Sequence, residues 1–145
     1  MAISSRFAVG IHILALIELN KDGISSSEYL AGSVNTNPTL IRKIMGMLKK
    51  ADLLIVQPGV AGARLAKEPA SITLLDVYKA VDVVKEKELF SIHDHPHPDC
   101  VVGRNIQEAI LPVLAAAQFA LEKVLEQVTV KDIIEEIVMK ERGSF

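Results

Sequence analysis

Between Ile24 and Lys50 the chain reads ISSSEYLAGSVNTNPTLIRKIMGMLKK, and two helix-start signals stand close together in it. In the first, Ser25 and Glu28 have the spacing of a capping box, with Ile24 and Tyr29 at the flanking staple positions. That grammar predicts a short helix over about 26–33. In the second, Asn37 precedes Pro38, an N-cap before a residue whose missing N–H costs nothing at the first helical position. Only Val34, Asn35 and Thr36 lie between the two. Two short helices on so tight a turn form a helix-turn-helix, whose second helix enters the major groove of DNA.

The second helix carries two different faces. Ile41, Ile44 and Leu48 recur at i, i+3 and i+7 and point inward, with Leu40 and Met47 beside them. Thr39, Arg42, Lys43, Gly46, Lys49 and Lys50 trace a polar stripe around the other side. A glycine in mid-helix costs about 1 kcal/mol relative to alanine, so Gly46 marks a close approach of the helix to something. Next, LLIVQ reads as a short apolar strand, Pro58–Gly62 as a turn and ARLAK as the return strand. Helix-turn-helix plus hairpin makes a winged helix, with Arg64 and Gln57 on the wing.

The charge distribution supports the same partner. The net charge is -2, but residues 1–67 hold 8 basic and 4 acidic side chains, and residues 68–145 hold 8 and 14. The first part is therefore +4 and the second -6. Between Pro38 and Lys67 six basic residues face one acidic residue, Asp52. A basic patch inside an acidic chain points to a polyanion for the N-terminal part alone; a solvated helix face is the plainer alternative. With both features together, Ser26, Thr36, Asn37, Thr39, Arg42, Lys43, Lys49, Lys50 and Arg64 are the candidate contacts to double-stranded DNA.

The remainder reads as scaffold. Half of the 145 residues are hydrophobic, mean hydropathy is +0.31 and tryptophan is absent, which predicts an aliphatic, mainly α core. Phe7, Ile11 and Leu14 share one face of a first helix, on which His12 is expected as a packed side chain. His12 and Glu18 interrupt its apolar run, and about 20 apolar residues are needed to span a bilayer, so no membrane partner is expected. One cysteine fits a reducing cytoplasm. Thr73 and Asp76 repeat the capping signal ahead of LLDVYKAV, and TVKDIIEEIVMK is a last capped helix. Before it, Ile106, Ile110, Val113, Ala117, Leu121, Val124 and Val128 trace one stripe over about six turns. Pro112 is expected to kink this helix or mark a late start. A helix so long has more apolar face than one chain covers, so Ile106 to Val124 form the expected homodimer interface. The expected organisation is a winged-helix DNA-binding unit over 1–82, a connector over 83–104, and the dimerisation helix with a C-terminal helix over 105–145.

The order ISSSEYLAGSVNTNPTLIRKIMGMLKKADLLIVQPGVAGARL, followed by ITLLDVYKAVD, resembles the winged-helix regulators of the Rrf-two family. That family includes IscR, NsrR and CymR, and the likeness is greatest to its YwnA-like branch. It covers 4–137. The resemblance implies a bacterial, cytoplasmic, homodimeric repressor on an inverted-repeat operator, responding to a chemical signal. Two departures stand out. The family's wing arginine is replaced by Pro58, which leaves Arg64 as its substitute. Cluster-binding members use three cysteines, C-x5-C-x5-C, whereas here Asp94 and Ile106 flank Cys100 at those spacings. That argues against an iron–sulphur cluster, and no cofactor is expected.

The loop HDHPHPDC holds a different chemistry. His93, His95, His97 and Cys100 are ligand types that suit a transition metal. Alternate histidines in an extended, proline-stiffened segment point to opposite sides, so a polar connector is the plainer reading. Cys100 is also the effector or redox candidate, open to oxidation or an intersubunit bridge. A catalytic Cys–His pair lacks any third orienting group, so an enzyme is not expected. Two functions follow: a DNA-binding transcriptional regulator, and, as the alternative, a winged-helix metal- or redox-binding module without specific DNA binding.

Overall fold

The computed structural model describes residues 5–56, 62–81, 90 and 92–143. It is mainly helical. Helix α1 (Arg6–Leu19) is followed by α2 (Ser27–Val34) and α3 (Pro38–Lys50), then strands β1 (Leu54–Val56) and β2 (Ala63–Leu65). A 3-10 turn at Pro69–Ser71 leads to α4 (Leu74–Val81), then α5 (Val101–Glu126) and α6 (Val130–Arg142). The strands pair antiparallel with Leu54 opposite Leu65, Ile55 opposite Arg64 and Val56 opposite Ala63. This is the winged helix-turn-helix with a long helix after it.

Local chemistry sets the element ends. The Asn37 side chain accepts from the Leu40 N–H at 2.8 Å, and Pro38 opens α3. Asn35, left-handed at φ 64°, ends α2, so the turn between the helices is Asn35–Asn37. Asp52, also left-handed, ends α3 in a Schellman turn, its N–H on the Lys49 carbonyl and that of Leu53 on Leu48. Leu48 and Leu53 are both buried there. Thr73 with Asp76, and Thr129 with Asp132, form reciprocal capping pairs at 2.8–3.1 Å.

Ile13, Leu14 and Ile17 of α1, Leu30 of α2, Ile41, Ile44 and Leu48 of α3, and Val77 of α4 make one core. Val130, at the start of α6, belongs to it and is 0% exposed. A one-residue bridge holds it there: the Leu74 N–H donates to the Val128 carbonyl at 2.8 Å and Val130 N–H to Ile72 at 2.9 Å. The chain therefore returns across the winged unit after α5, and α6 packs on α1.

Several expectations change. The cap of α2 is Ser26, whose Oγ accepts from the Tyr29 N–H at 3.1 Å, so the helix starts one residue late. Ser25 is buried and engaged by Asn20 Nδ2 at 3.1 Å, which removes it from capping. Glu28 turns to Arg42 instead. His12 is exposed rather than packed, with Nε2 2.9 Å from Ser33 Oγ, because the buried face of α1 runs through Gly10, Ile13, Leu14 and Ile17. Helix α5 begins at Val101 and runs unbroken through Pro112. Pro112 is exposed, where water can satisfy the carbonyl that its ring deprives of an N–H.

Asp132 is held below the ordinary carboxylate range chiefly by the Thr129 backbone N–H, then by the Thr129 hydroxyl. The unfolded carboxylate protonates near about pH 4, so this contribution is present above that pH and lost as pH falls through the lower folded value. Asp132→Asn is expected to be less stable at pH 7 and to lose less stability on acidification to pH 3. Urea unfolding at both pH values checks it; identical pH dependence in the two proteins refutes it.

Candidate nucleic-acid interface

Burial of Ile41, Ile44 and Leu48 turns the opposite side of α3 outward. Thr39, Arg42, Lys43, Gly46, Lys49 and Lys50 are all exposed there. Asn37 is exposed and Thr36 half-buried at the helix start. The Asn37 oxygen is committed to its cap, so its amide nitrogen is the group directed to a ligand. Lys43, Lys49 and Lys50 have no carboxylate partner among the described residues. Lys123, Lys131 and Lys140, by contrast, pair with Glu126, Glu135 and Glu136 at 3.4–3.8 Å.

Arg42 is differently placed. Its Nη1 donates to Ser27 Oγ at 3.3 Å and lies 3.8 Å from Glu28 Oε1, and Ser27 Oγ donates to Glu28 Oε2 at 3.2 Å. Ser27 and Glu28 thereby hold the arginine across the turn, a part that sequence reasoning did not give to Ser27. The serine run before α2 is the only signal that bears on it. Both partners of the ion pair are more than half exposed, so breaking it costs little.

An open groove of about 320 Å3 runs between the first turn of α2, the outer face of α3 and the wing. Ser25, Ser26 and Ser27 form one side, Arg42, Met45, Gly46 and Lys49 the other, and Val56 and Gly62 lie on the wing side. Arg64 is exposed but turned inward, Nη1 on the Ala63 carbonyl at 3.0 Å and Nη2 on Gly23 at 3.4 Å. It fastens the base of the wing to the loop before α2. Gln57 and most of the turn over 58–62, including Pro58 and Gly59, lie outside the described residues.

The histidine loop forms no metal centre: among the described residues no three His, Cys, Asp or Glu side chains come together. His93, His95 and His97 are exposed. The His93 carbonyl accepts from Gln107 Nε2 at 3.0 Å, His95 is left-handed at φ 56°, and His97 Nδ1 accepts from the Asp99 N–H at 3.1 Å. The backbone of His97 packs so close to α5 that a Cβ on Gly103 would collide with its carbonyl. With a single thiol in the chain, the residues present do not fit an iron–sulphur cluster.

Cys100 is the exposed N-cap residue of α5. The backbone N–H groups of Gly103, first, and Val102 hold its thiol below the ordinary value, because they stabilise the thiolate. Along α5 no residue is buried. Ile106, Ile110 and Leu121 are half-buried, while Ala117, Val113 (66%) and Val124 (62%) are exposed. Phe119, which the stripe did not include, is 61% exposed, with Lys123 Nζ 5.3 Å from its ring centre. No described helix is long and apolar enough to cross a membrane.

Comparison with known proteins bears on this geometry. Residues 3–136 match the family described as Rrf2: Iron-dependent Transcriptional regulator. A Bacillus subtilis (strain 168) protein assigned as the HTH-type transcriptional regulator YwnA is 47% identical over 132 residues, 91% of this chain and 96% of that one. A crystal structure of a protein assigned as DNA-binding is 42% identical, with a TM-score of 0.72, covering 90% of this chain and 99% of that one. CymR (YrzC), the global cysteine regulator of B. subtilis, has the same fold at 19% identity and a TM-score of 0.67, over 93% and 97% of the two chains. The family and the Bacillus relative are transcriptional regulators and not enzymes.

The thiol gives one direct test. Reaction of Cys100 with a disulfide probe is expected to reach its half-maximal rate at a lower pH than free cysteine does. A pH–rate profile that superimposes on that of free cysteine refutes the activation.

Proposed function

Because the chain belongs to the Rrf2 family of transcriptional regulators, we propose that it is a cytoplasmic repressor that binds an inverted-repeat operator in double-stranded DNA as a homodimer. The observation that carries the reading is the charge on α3. Lys43, Lys49 and Lys50 stand exposed without a carboxylate partner among the described residues, while surface lysines of α5 and α6 are neutralised locally. Phosphates are the counter-charge such a face takes, and counterion release drives their binding.

In this reading α3 lies in the major groove. Thr36, Asn37, Thr39, Arg42 and Lys43, near its start, supply base and nearby phosphate contacts, and Ser26 meets the backbone from α2. Lys49 and Lys50, two turns on, contact phosphates alone. Arg42 exchanges the Glu28 carboxylate for a base edge or phosphate, an exchange of one exposed pair for another. Arg64 acts by holding the wing in place. Two recognition helices on a two-fold dimer fit half-sites about one helical turn, or a multiple, apart.

The occupant proposed for the uncovered side of α5 is the same helix of a second copy. An exposed apolar strip with Val113, Ala117 and Val124 along it is the type of surface a two-fold interface covers. Cys100 caps that helix, so its oxidation is the proposed input signal; an oxidant that spares DNA affinity removes it from that role.

Two measurements test the regulator. Arg42→Ala is expected to relax sequence preference by about 1–3 kcal/mol, and Lys49→Ala to weaken all sequences alike and lower the salt slope by about one unit. Failure of the wild type to retain any genomic fragment in low salt defeats the proposal. For assembly, light scattering should find a wild-type dimer and a folded Val113→Asp monomer, since the substitution puts an unpaired charge into the interface. A folded wild-type monomer at micromolar concentration defeats the dimer.

A further inference from the structure

Gly46 has no internal reason to be glycine. It lies in the middle of α3, where glycine lowers helix stability, and its φ is not in the left-handed region. A Cβ built on it meets no atom of the described residues within 4 Å. Gly10, by comparison, would place its Cβ 3.1 Å from Val77, so that glycine is required by packing. Gly32 in α2 also opens on empty space, but it does not line the groove beside α3.

What surrounds Gly46 is chemically specific. Met45, Gly46 and Val56 form an apolar floor, and Ser26, Arg42 and Lys49 line the groove beside it with hydroxyl and cationic donors. Arg42, Met45, Gly46 and Lys49 follow one another at i, i+3, i+4 and i+7, a single strip along the helix. Donors above a smooth apolar floor complement an anion that carries an apolar ring. A sugar–phosphate strand has that composition: the phosphate oxygens meet the edge donors and the deoxyribose lies on the floor. Hydrogen-bonded reading of a base edge would instead need donors and acceptors on the floor itself, and the side chains of Met45 and Val56 offer no pair of them; a thymine methyl is the one base group such a floor meets.

We infer that Gly46 is the point at which one sugar–phosphate strand of the bound DNA comes closest to the recognition helix, and that the absence of a side chain there keeps the groove open to it. The inference rests on the proposed binding of DNA by α3 and adds a residue and a mode of contact to it. Gly46 contributes no charge and reads no base; it sets how deeply the helix docks.

The consequence is an opposition of signs. Gly46→Ala fills solvent in the free protein, so its melting midpoint should rise by roughly 2–4 °C. Its DNA affinity should nevertheless fall roughly tenfold, and that of Gly46→Leu further, because the added carbons overpack the docked strand. The loss should be equal on a selected operator fragment and on random-sequence duplex, with an unchanged salt slope, because no phosphate contact carrying charge is deleted. Gly32→Ala is the control, gaining stability without losing affinity.

The measurements are thermal unfolding and fluorescence-anisotropy titrations of wild type, Gly46→Ala, Gly46→Leu and Gly32→Ala on both duplexes at several salt concentrations. Greater stability with a uniform loss at Gly46 supports the inference. Unaltered affinity in both Gly46 variants overturns it and leaves the DNA reading standing. A loss confined to the operator overturns it too, because Gly46 would then lie against a base edge. A wild type that binds neither duplex overturns both readings.

Discussion

The exposed cationic face of α3 exists because three aliphatic side chains on that helix are buried. Ile41, Ile44 and Leu48 are each 0% exposed, packed in a core that also holds Ile13, Leu14 and Leu30. Helical geometry then leaves no choice for the rest of α3: residues on the opposite side must face outward. Arg42, Lys43, Gly46 and Lys49 need no packing of their own to be presented, and their orientation is as well fixed as the core. Removing one of those aliphatic groups leaves a cavity and costs about 2–5 kcal/mol, so the interface is only as rigid as the layer beneath it.

That dependence explains which parts were legible in the sequence. Caps whose partners lie three residues apart were readable: Asn37 with Leu40, Thr73 with Asp76, Thr129 with Asp132. Where several residues offered the same local signal, distant contacts decided. Ser25, Ser26 and Ser27 are equivalent as a string, and only the approach of Asn20 to Ser25 makes Ser26 the cap. The inward turn of Arg64 depends on the carbonyl of Gly23, 41 positions away, and the hold on Arg42 on Ser27, 15 positions away. His12 failed for a related reason: an apolar neighbourhood in sequence does not say which side of the helix is covered. The unbroken passage through Pro112 followed from exposure, which no periodicity of the flanking residues reports.

Charge is segregated in the fold as it is in the sequence. The lysines of α5 and α6 are matched by glutamates on the same helix three or four residues away, so their positive charge is neutralised locally and the second half keeps its acidic excess. The winged half keeps its excess where α3 is exposed. An overall charge of -2 therefore repels little and conceals a local cationic surface. Polyanion binding depends on that local field, since charges farther off than about 8–10 Å are screened at physiological salt.

Placing two such surfaces at a fixed separation requires each winged unit to hold its long helix at a fixed angle. The bridge between Thr73 and Thr129 supplies part of this. It pins the residue before α4 to the residue before α6, and the buried Val130 anchors the latter in the winged core. The end of α5 is thus joined to the winged unit through three residues, Gln127 to Thr129. At the other end, the first turn of α5 carries Cys100, and Gly103 admits the His97 backbone against it. The long helix is therefore tied at its end to the winged core and begins at an exposed thiol that the Gly103 and Val102 N–H groups hold below its ordinary value. In the proposed dimer, a chemical change at Cys100 enters the fold at the end of α5 opposite the bridge, and α5 is the element that connects it to the winged core.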